Sequence, residues 1–535
     1  MPRQCSKCGK FARHLCSDNA QDRLSCPVLP GSSARRSHRS RRRSMRTSAK
    51  RIAAVWSSLC VGLVLLGASG AAHCGEQADK AVAAVKLLIA RGELKPDAVL
   101  RMRVKQGNTS SFLGRDYELQ KDWEKQTGIL LDVSVMPQVD SLEIIRRSND
   151  IDLTIARNHE YPDLVAGRLI EDLTPLLQRF GFALPVDTNG GYMLLQHQAM
   201  VGDRVVAIPA DLDMAMLFVR RDLLEDPAQR AAFRERFKRE LKLPSTWSEY
   251  QQLVEFFNRP KEGFYGSSEP REKLTGWMFW MPRYLSTAAS NQYLFDEQMH
   301  PLVDSPAGVA ATESYVATVP YSPPQSLEDG KDYSYTLPFF VRGNAFATML
   351  TVATAKISNR DDSAIKGKFI AVAMPGRVVG NRLVRRSQFI YGNNLVVPAN
   401  APNKALGLLF AMWLTDADNA ARSVAANGIA DPYRYSTLAD ERVRSLYTPQ
   451  AMDLLRSELP FVAPSGTGLP GDSEYLGALS NNIWLAASGK LTSKEAMTKT
   501  AREWEAITDA RGRAQQIAHW QAFKKLYPSA TESPR

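Results

Sequence analysis

The chain has 535 residues, 68 Lys and Arg against 56 Asp and Glu, and a formal charge of +12. Residues 1–74 hold 14 of those bases and two of those acids, which leaves 54 of each beyond residue 74, and all six cysteines lie in the same segment, from Cys5 to Cys74. With charge excess and thiols confined there, the body is no basic nucleic-acid-binding face, disulfide scaffold, zinc ribbon or cysteine-nucleophile enzyme.

Residues 52–72, IAAVWSSLCVGLVLLGASGAA, are uncharged and follow Arg46, Lys50 and Arg51. A basic start, an apolar run and a small-residue exit make residues 45–72 a signal peptide, cleaved near Ala72, and place the protein in the periplasm. The competing reading keeps 52–72 as a membrane tether, although its second half is rich in Gly, Ala and Ser. A lipid anchor at Cys74 is disfavoured because His73, and not a small residue, precedes it. Residues 1–44 read as a basic, cysteine-containing extension, disordered or upstream of a true start at Met45. Cys5, Cys8, Cys16 and Cys26 lack the second close pair of a metal knuckle. A thiol-free body suits an oxidising compartment.

Residues 73–98 form an N-terminal segment of the mature chain, and regular patterning starts near residue 99. Leu100–Val104 alternates as a strand. Arg115–Thr127 reads as a helix with Leu119 and Trp123 on one face and Gly128 as its C-terminal cap. Ile129–Val135 and Asp152–Ala156 are further strands, and this order predicts a parallel α/β sheet. Toward the C-terminus, Asn403 is placed to cap a helix over Lys404–Thr415 with Leu406, Phe410 and Trp413 inward. Asp416–Asn427 follows, and Thr492 with Glu495 has capping-box spacing ahead of a helix carrying Met497, Trp504 and Ile507. Residues 526–535 are a tail.

No nucleophile elbow, zincin, P-loop or dinucleotide motif occurs. His159, His197, His300 and His519, the four histidines of the body, are scattered, so neither a metal nor a cofactor is expected. Aromatic residues are interleaved with polar ones in predicted loops: Trp277, Phe279, Trp280 and Tyr284, then Tyr391, Asn393 and Asn394, then Tyr433, Arg434 and Tyr435. Flat rings stack on sugar C–H faces while amides and charges bond hydroxyls, and core packing is the competing use of each ring.

These segments together resemble the extracellular solute-binding proteins of ABC importers, in the maltose and oligosaccharide group. The resemblance is carried, in order, by Asp122–Ile129 (DWEKQTGI), Asp152–Ala156 with Gly167–Leu173 (GRLIEDL), Gly202–Ala210 (GDRVVAIPA), Pro244–Tyr250 (PSTWSEY), Gly343–Ala345, Met374–Gly376, Tyr391–Val397 (YGNNLVV) and Asn427–Arg434 (NGIADPYR). It implies an α/β, two-lobe periplasmic-binding-protein fold of type II over residues 99–525, with a hinge and an interlobe cleft. Lobe one would comprise about 99–211 and 391–440, and lobe two about 213–388 and 441–525.

Carried over by position, the resemblance implies ligand contacts from Asn108, Thr109, Arg157, Asn158, His159, Asp213, Thr351, Tyr391, Asn393, Tyr433 and Arg434. Leu350–Thr354 stands where many sugar binders place a tryptophan platform, so Trp277 or Trp280 is expected to replace it. The implied function is capture of a small polar solute, a sugar or polyol, for an ABC permease and ATPase, by a monomer without covalent chemistry, cofactor, metal or nucleic acid. Two rivals stand beside it. One is a secreted carbohydrate-active enzyme using Asp211 and Asp213. The other is a tethered binder of an anionic solute, because Arg157 and Arg434 could reach the cleft.

Overall fold

The computed structural model describes residues 75–105, 109–136, 141–287, 293–386, 392–426 and 428–527. Every described residue belongs to one compact unit within Ser69–Arg535. The extension and the signal peptide therefore lie outside the described residues. Among the described residues no helix is long and apolar enough to cross a membrane.

Two four-stranded sheets organise the unit. The first contains β1 (Val99–Lys105), β2 (Leu130–Met136), β3 (Leu153–Arg157) and a late strand, β8 (Asn393–Val396). β1 pairs parallel with both β2 and β3, as the sequence predicts, and β8 closes the edge antiparallel to β3, Asn393 opposite Arg157. The second sheet contains β4 (Ala215–Arg220), β5 (Tyr265–Ser267), β6 (Ala345–Thr351) and β7 (Phe369–Val372), in the order β5-β6-β4-β7. It is mixed: β4 is antiparallel to β6 and β7, while β5 and β6 are parallel.

Helical periodicity explains the first core. Leu119 and Trp123 face inward from helix Glu118–Thr127 and meet the inward face of Lys404–Leu414. There Trp123 lies edge-on to Phe410 at 5.1 Å and to Trp413 at 5.5 Å. Gly128 caps the first helix at φ 79°, a conformation that favours glycine. The 115–117 stretch expected to belong to that helix is a 3-10 turn, with Asp116 and Tyr117 at positive φ. Asn403 makes no side-chain cap; its backbone N–H instead donates to Asp152 Oδ1 at 2.7 Å. The capping box at Thr492 and Glu495 forms as read, and a second one forms at Thr246 and Glu249.

Strand β4 shows why the second lobe has two cores. Its alternate residues point to opposite faces, so Leu217 and Val219 join one apolar cluster, while Met216 and Phe218 join another. Helix Glu76–Ala90 buries Ala78, Ala81, Val82, Val85 and Leu88 in the first core, so it is an integral part of that lobe. Residues 416–440, expected in lobe one, pack Ala420, Ala421, Val424, Tyr433 and Leu438 onto the Met216 face of the second sheet. The same stretch also bonds lobe one: Arg422 donates to Asp122 at 2.7 Å, and the Met193 N–H donates to the Tyr433 carbonyl at 2.9 Å.

The sheets are joined where the chain crosses between them. Ile208 and Leu395 exchange backbone hydrogen bonds of 2.9 and 3.0 Å, and Ala210 N–H donates to Asn394 Oδ1 at 3.1 Å. Gly392 is needed there by contact: a Cβ would stand 1.9 Å from the Asp211 carbonyl oxygen.

Candidate functional site between the lobes

Three short strand ends converge at this crossing: the end of β6, the start of β4 and the start of β8. Asp211 and Asp213 precede β4, Thr351 ends β6, Asn393 starts β8, and Asp431 follows helix Ala417–Ala425. Carboxylate oxygens of Asp211, Asp213 and Asp431 all lie within 4.8 Å of one another, and all three residues are buried. Asp211 Oδ1 accepts the Asp431 N–H at 2.8 Å, and Asp211 Oδ2 accepts Asn393 Nδ2 at 3.0 Å. Asp431 Oδ2 accepts the Ala353 N–H at 3.0 Å, and Tyr447 Oη donates to Asp431 Oδ1 at 2.9 Å. The Thr351 hydroxyl bonds Asp213, which also shares a hydrogen bond with Asp431.

Lys356 is the cation beside this group. Its ammonium donates to the carbonyls of Val424 at 2.9 Å and Ala430 at 3.2 Å. Burial pushes Asp211 up to about 6; burial and the Asp211 charge push Asp431 up to about 8 and Asp213 well above the carboxylate range. Burial likewise pulls Lys356 down to about 8, against the attraction of Asp431 and Asp211.

Farther along the junction, lobe one presents the residues after β3. Glu160 accepts the N–H of Arg157 at 2.6 Å and that of Ser141 at 2.8 Å, and it faces the buried Lys105 ammonium at 3.8 Å. Burial alone would raise the Glu160 pKa, but Lys105, His159 and Arg157 hold it at about 2. Burial lowers His159 to about 4, with Arg157 and Lys105 in support and Glu160 opposed. The His159 ring meets Trp277 of lobe two edge-on, with centroids 5.9 Å apart. Two more contacts join the lobes: Asp163 accepts the Gly471 N–H at 2.6 Å, and His197 Nε2 lies 2.9 Å from the Leu526 carbonyl.

Placement sorts the residues expected at the site. Asn108 and Tyr391 lie outside the described residues. Thr109 opens the short helix Thr109–Leu113. Arg157, His159 and Trp277 come together at the junction, and Asp213, Thr351 and Asn393 at the crossing. Asn158 joins the former group, its Nδ2 donating to the His197 carbonyl at 3.3 Å.

The remaining three are committed to packing. Trp277 and Trp280 sit on a helix, Gly276–Leu285, and not on a loop; every residue of it is buried. Trp280 turns inward, donates to Thr312 Oγ1 at 2.8 Å and stacks on Tyr284 at 4.9 Å. Tyr433 is buried and stacks on Tyr192. Arg434 donates to the carbonyls of Gly190 and Thr415 at 3.0 and 2.8 Å and lies 4.3 Å over the Tyr192 ring. Its guanidinium is thus spent on the fold, which removes one support for an anionic solute.

Four residues are not singled out from sequence: Lys105 and Glu160 at the junction, Lys356 and Asp431 at the crossing. Lys105 ends an otherwise alternating strand, which is a legible signal. Lys356 and Asp431 belong to segments whose meeting only the fold reveals.

The sequence profile of the bacterial extracellular solute-binding proteins matches residues 118–445, more than half of the chain and a span that includes the second sheet and three strands of the first. The chain belongs to that family. It is a solute-binding protein and not an enzyme, so Asp211 and Asp213 are not a hydrolytic pair. Solved structures of similar fold agree. Maltose-bound MalE3 of T. maritima superposes with a TM-score of 0.62 at 19% identity, covering 77% of this chain and 100% of its own. A ribitol complex from Agrobacterium radiobacter K84 gives 0.62 at 18%, covering 77% and 98%. A D-mannitol complex from Agrobacterium vitis S4 gives 0.62 at 17%, covering 78% and 99%. At these identities the likeness shows the two-lobe fold of this solute-binding protein, which is exported by the nature of its family.

Proposed function

We propose that this protein captures a sugar or polyol between its lobes in the periplasm and delivers it, as a monomer, to an ABC permease and its ATPase. The reading takes residues 45–72 as the cleaved signal peptide. The observation that carries it is the junction itself, where His159 of one lobe meets the Trp277 ring of the other beside Lys105, Arg157 and Glu160. An aromatic surface next to donors and acceptors withdrawn from water suits a polyhydroxylated solute: the ring covers C–H faces and the polar groups bond hydroxyls. Related folds hold maltose, ribitol and D-mannitol. Opening and closing of the lobes about the crossing segments would admit and seal the solute.

The test is a thermal-shift and calorimetric screen of sugars and polyols, with amino acids and sugar phosphates as contrasting classes. One solute bound per chain, weakened by Trp277→Ala and by His159→Ala, is the expected result. Saturable binding confined to amino acids or phosphorylated solutes would overturn the assignment of ligand class.

A further inference from the structure

Helix Asp472–Ala487 of lobe two runs for 16 residues and begins without a side-chain cap from its own start. Gly471, in the cap position, has no side chain and stands at φ 93°, where a Cβ would come within 3.2 Å of Arg511 Nε. Asp472 is turned back onto the preceding loop, its Oδ1 accepting the Thr467 N–H at 2.5 Å and the Thr467 hydroxyl at 2.6 Å. A helix start leaves N–H groups unsatisfied and carries a partial positive charge. The carboxylate that answers it comes from lobe one, 308 residues away in the chain. Asp163 Oδ1 accepts the Gly471 N–H at 2.6 Å, and its Oδ2 accepts the Ser473 hydroxyl at 3.3 Å and the Ser473 N–H at 3.4 Å. Arg511, paired with Glu474 at 2.5 Å in the first turn of the same helix, adds a cation that the Asp163 charge reaches.

The two partners are anchored in different lobes. Asp163 lies on helix Tyr161–Ala166, whose Tyr161 and Leu164 pack with Ala156 and Val396 of the first sheet. Helix Asp472–Ala487 packs Tyr475, Leu476, Leu479 and Ile483 into the core that holds Leu217 of the second sheet. The loop before that helix is drawn onto lobe one as well: Gly466, at φ 70°, is so close that a Cβ would stand 3.0 Å from His159 Cβ. The contact thus covers the segment that carries Arg157, Asn158 and His159.

We propose that Asp163 is a latch between the lobes, which caps helix Asp472–Ala487 across the junction and so holds the lobes closed over residues 157–159. Asp163 is half-buried and Ser473 exposed, so water replaces these bonds when the lobes part, and the latch biases the equilibrium without locking it. One helix cap shifts such an equilibrium by roughly three- to thirtyfold. A solute that needs the closed form is held less tightly in proportion as that form is depopulated. This consequence for the solute rests on the function proposed above; the latch itself does not.

The test is small-angle X-ray scattering of the full chain without solute, beside stopped-flow binding of maltose, ribitol and D-mannitol. Asp163→Ala should raise the radius of gyration, Asp163→Lys, which sets a cation against the helix start and Arg511, should raise it further, and Asp163→Asn, which keeps an oxygen acceptor, should raise it less. A bound solute should leave Asp163→Ala roughly three- to thirtyfold faster than the parent, with little change in its rate of entry. A purely structural role would lower the melting temperature and leave the radius of gyration where it was. An unchanged radius in cooperatively melting Asp163→Ala and Asp163→Lys proteins would overturn the latch, and so would an unchanged rate of release. Binding of none of the three solutes would count against the ligand class alone, because the scattering is read without solute.

Discussion

Glu269 in lobe two and Asp431 at the crossing are both carboxylates out of contact with water, and their neighbours push them in opposite directions. Glu269 follows β5 and is clamped by Arg271 at 3.1 Å, Arg283 at 3.1 Å and the Tyr250 hydroxyl at 2.6 Å. Burial would raise its pKa, but the two guanidinium groups hold it below the ordinary range. Asp431 has two further carboxylates and one ammonium around it, and its pKa rises to about 8. Burial is common to both, so the company decides. One site is a closed ion-pair network that the fold completes by itself; the other is short of positive charge.

The largest expected effect breaks the closed network. Glu269→Ala leaves two buried guanidinium groups without their carboxylate, and should cost about 3–5 kcal/mol in urea unfolding. Trp280→Ala, which empties a filled core position without touching charge, should cost a similar ~3–5 kcal/mol and leave solute affinity in the folded fraction unchanged. Comparing the two separates ionic from packing loss.

A smaller effect concerns pH. His159 titrates near 6.5 when unfolded and at about 4 in the fold. The unfolded chain therefore takes up a proton that the native state refuses, and stability falls as pH drops through the window between those values. At full effect the difference is about 3 kcal/mol, less any relaxation of the junction. Melting curves between neutral pH and pH 4 should show the decline, and His159→Gln should flatten it; an unchanged slope in that variant would assign it elsewhere.

Smaller again is the effect at the crossing. Asp431→Asn replaces a group that burial already disfavours as an anion, so it should cost under about 1 kcal/mol, far less than Glu269→Ala. A loss as large as that of Glu269→Ala would erase the contrast between the two sites. The exposed pair Arg147–Glu143, at helical i,i+4 spacing and 2.8 Å, sets the floor: Arg147→Ala should change stability by about 0.5 kcal/mol or less.

How much of this was legible in sequence depends on how local each signal is. Leu119, Trp123, Phe410 and Trp413 announce their inward faces by spacing within one helix, and they pack as expected. The N-terminal helix Glu76–Ala90 is hard to read in sequence although Ala78, Ala81, Val82, Val85 and Leu88 carry a helical stripe, because small alanines make that stripe faint. Trp280 could not be separated from Trp277, because a helix buried on every side has no polar face to orient it. At the crossing, Asp213, Thr351 and Asn393 are expected from their order along the chain, and the fold brings them together. Asp431 acquires its significance only from Asp211, 220 residues away, a separation that no local pattern records.

The most direct test of the central claim is calorimetric titration of the full chain with maltose, ribitol and D-mannitol, followed by the rest of the sugar and polyol panel. Saturable binding of one sugar or polyol per chain, weakened when Trp277 is replaced by alanine, is the expected result. Absence of binding across the whole panel, in protein that melts cooperatively, would contradict it.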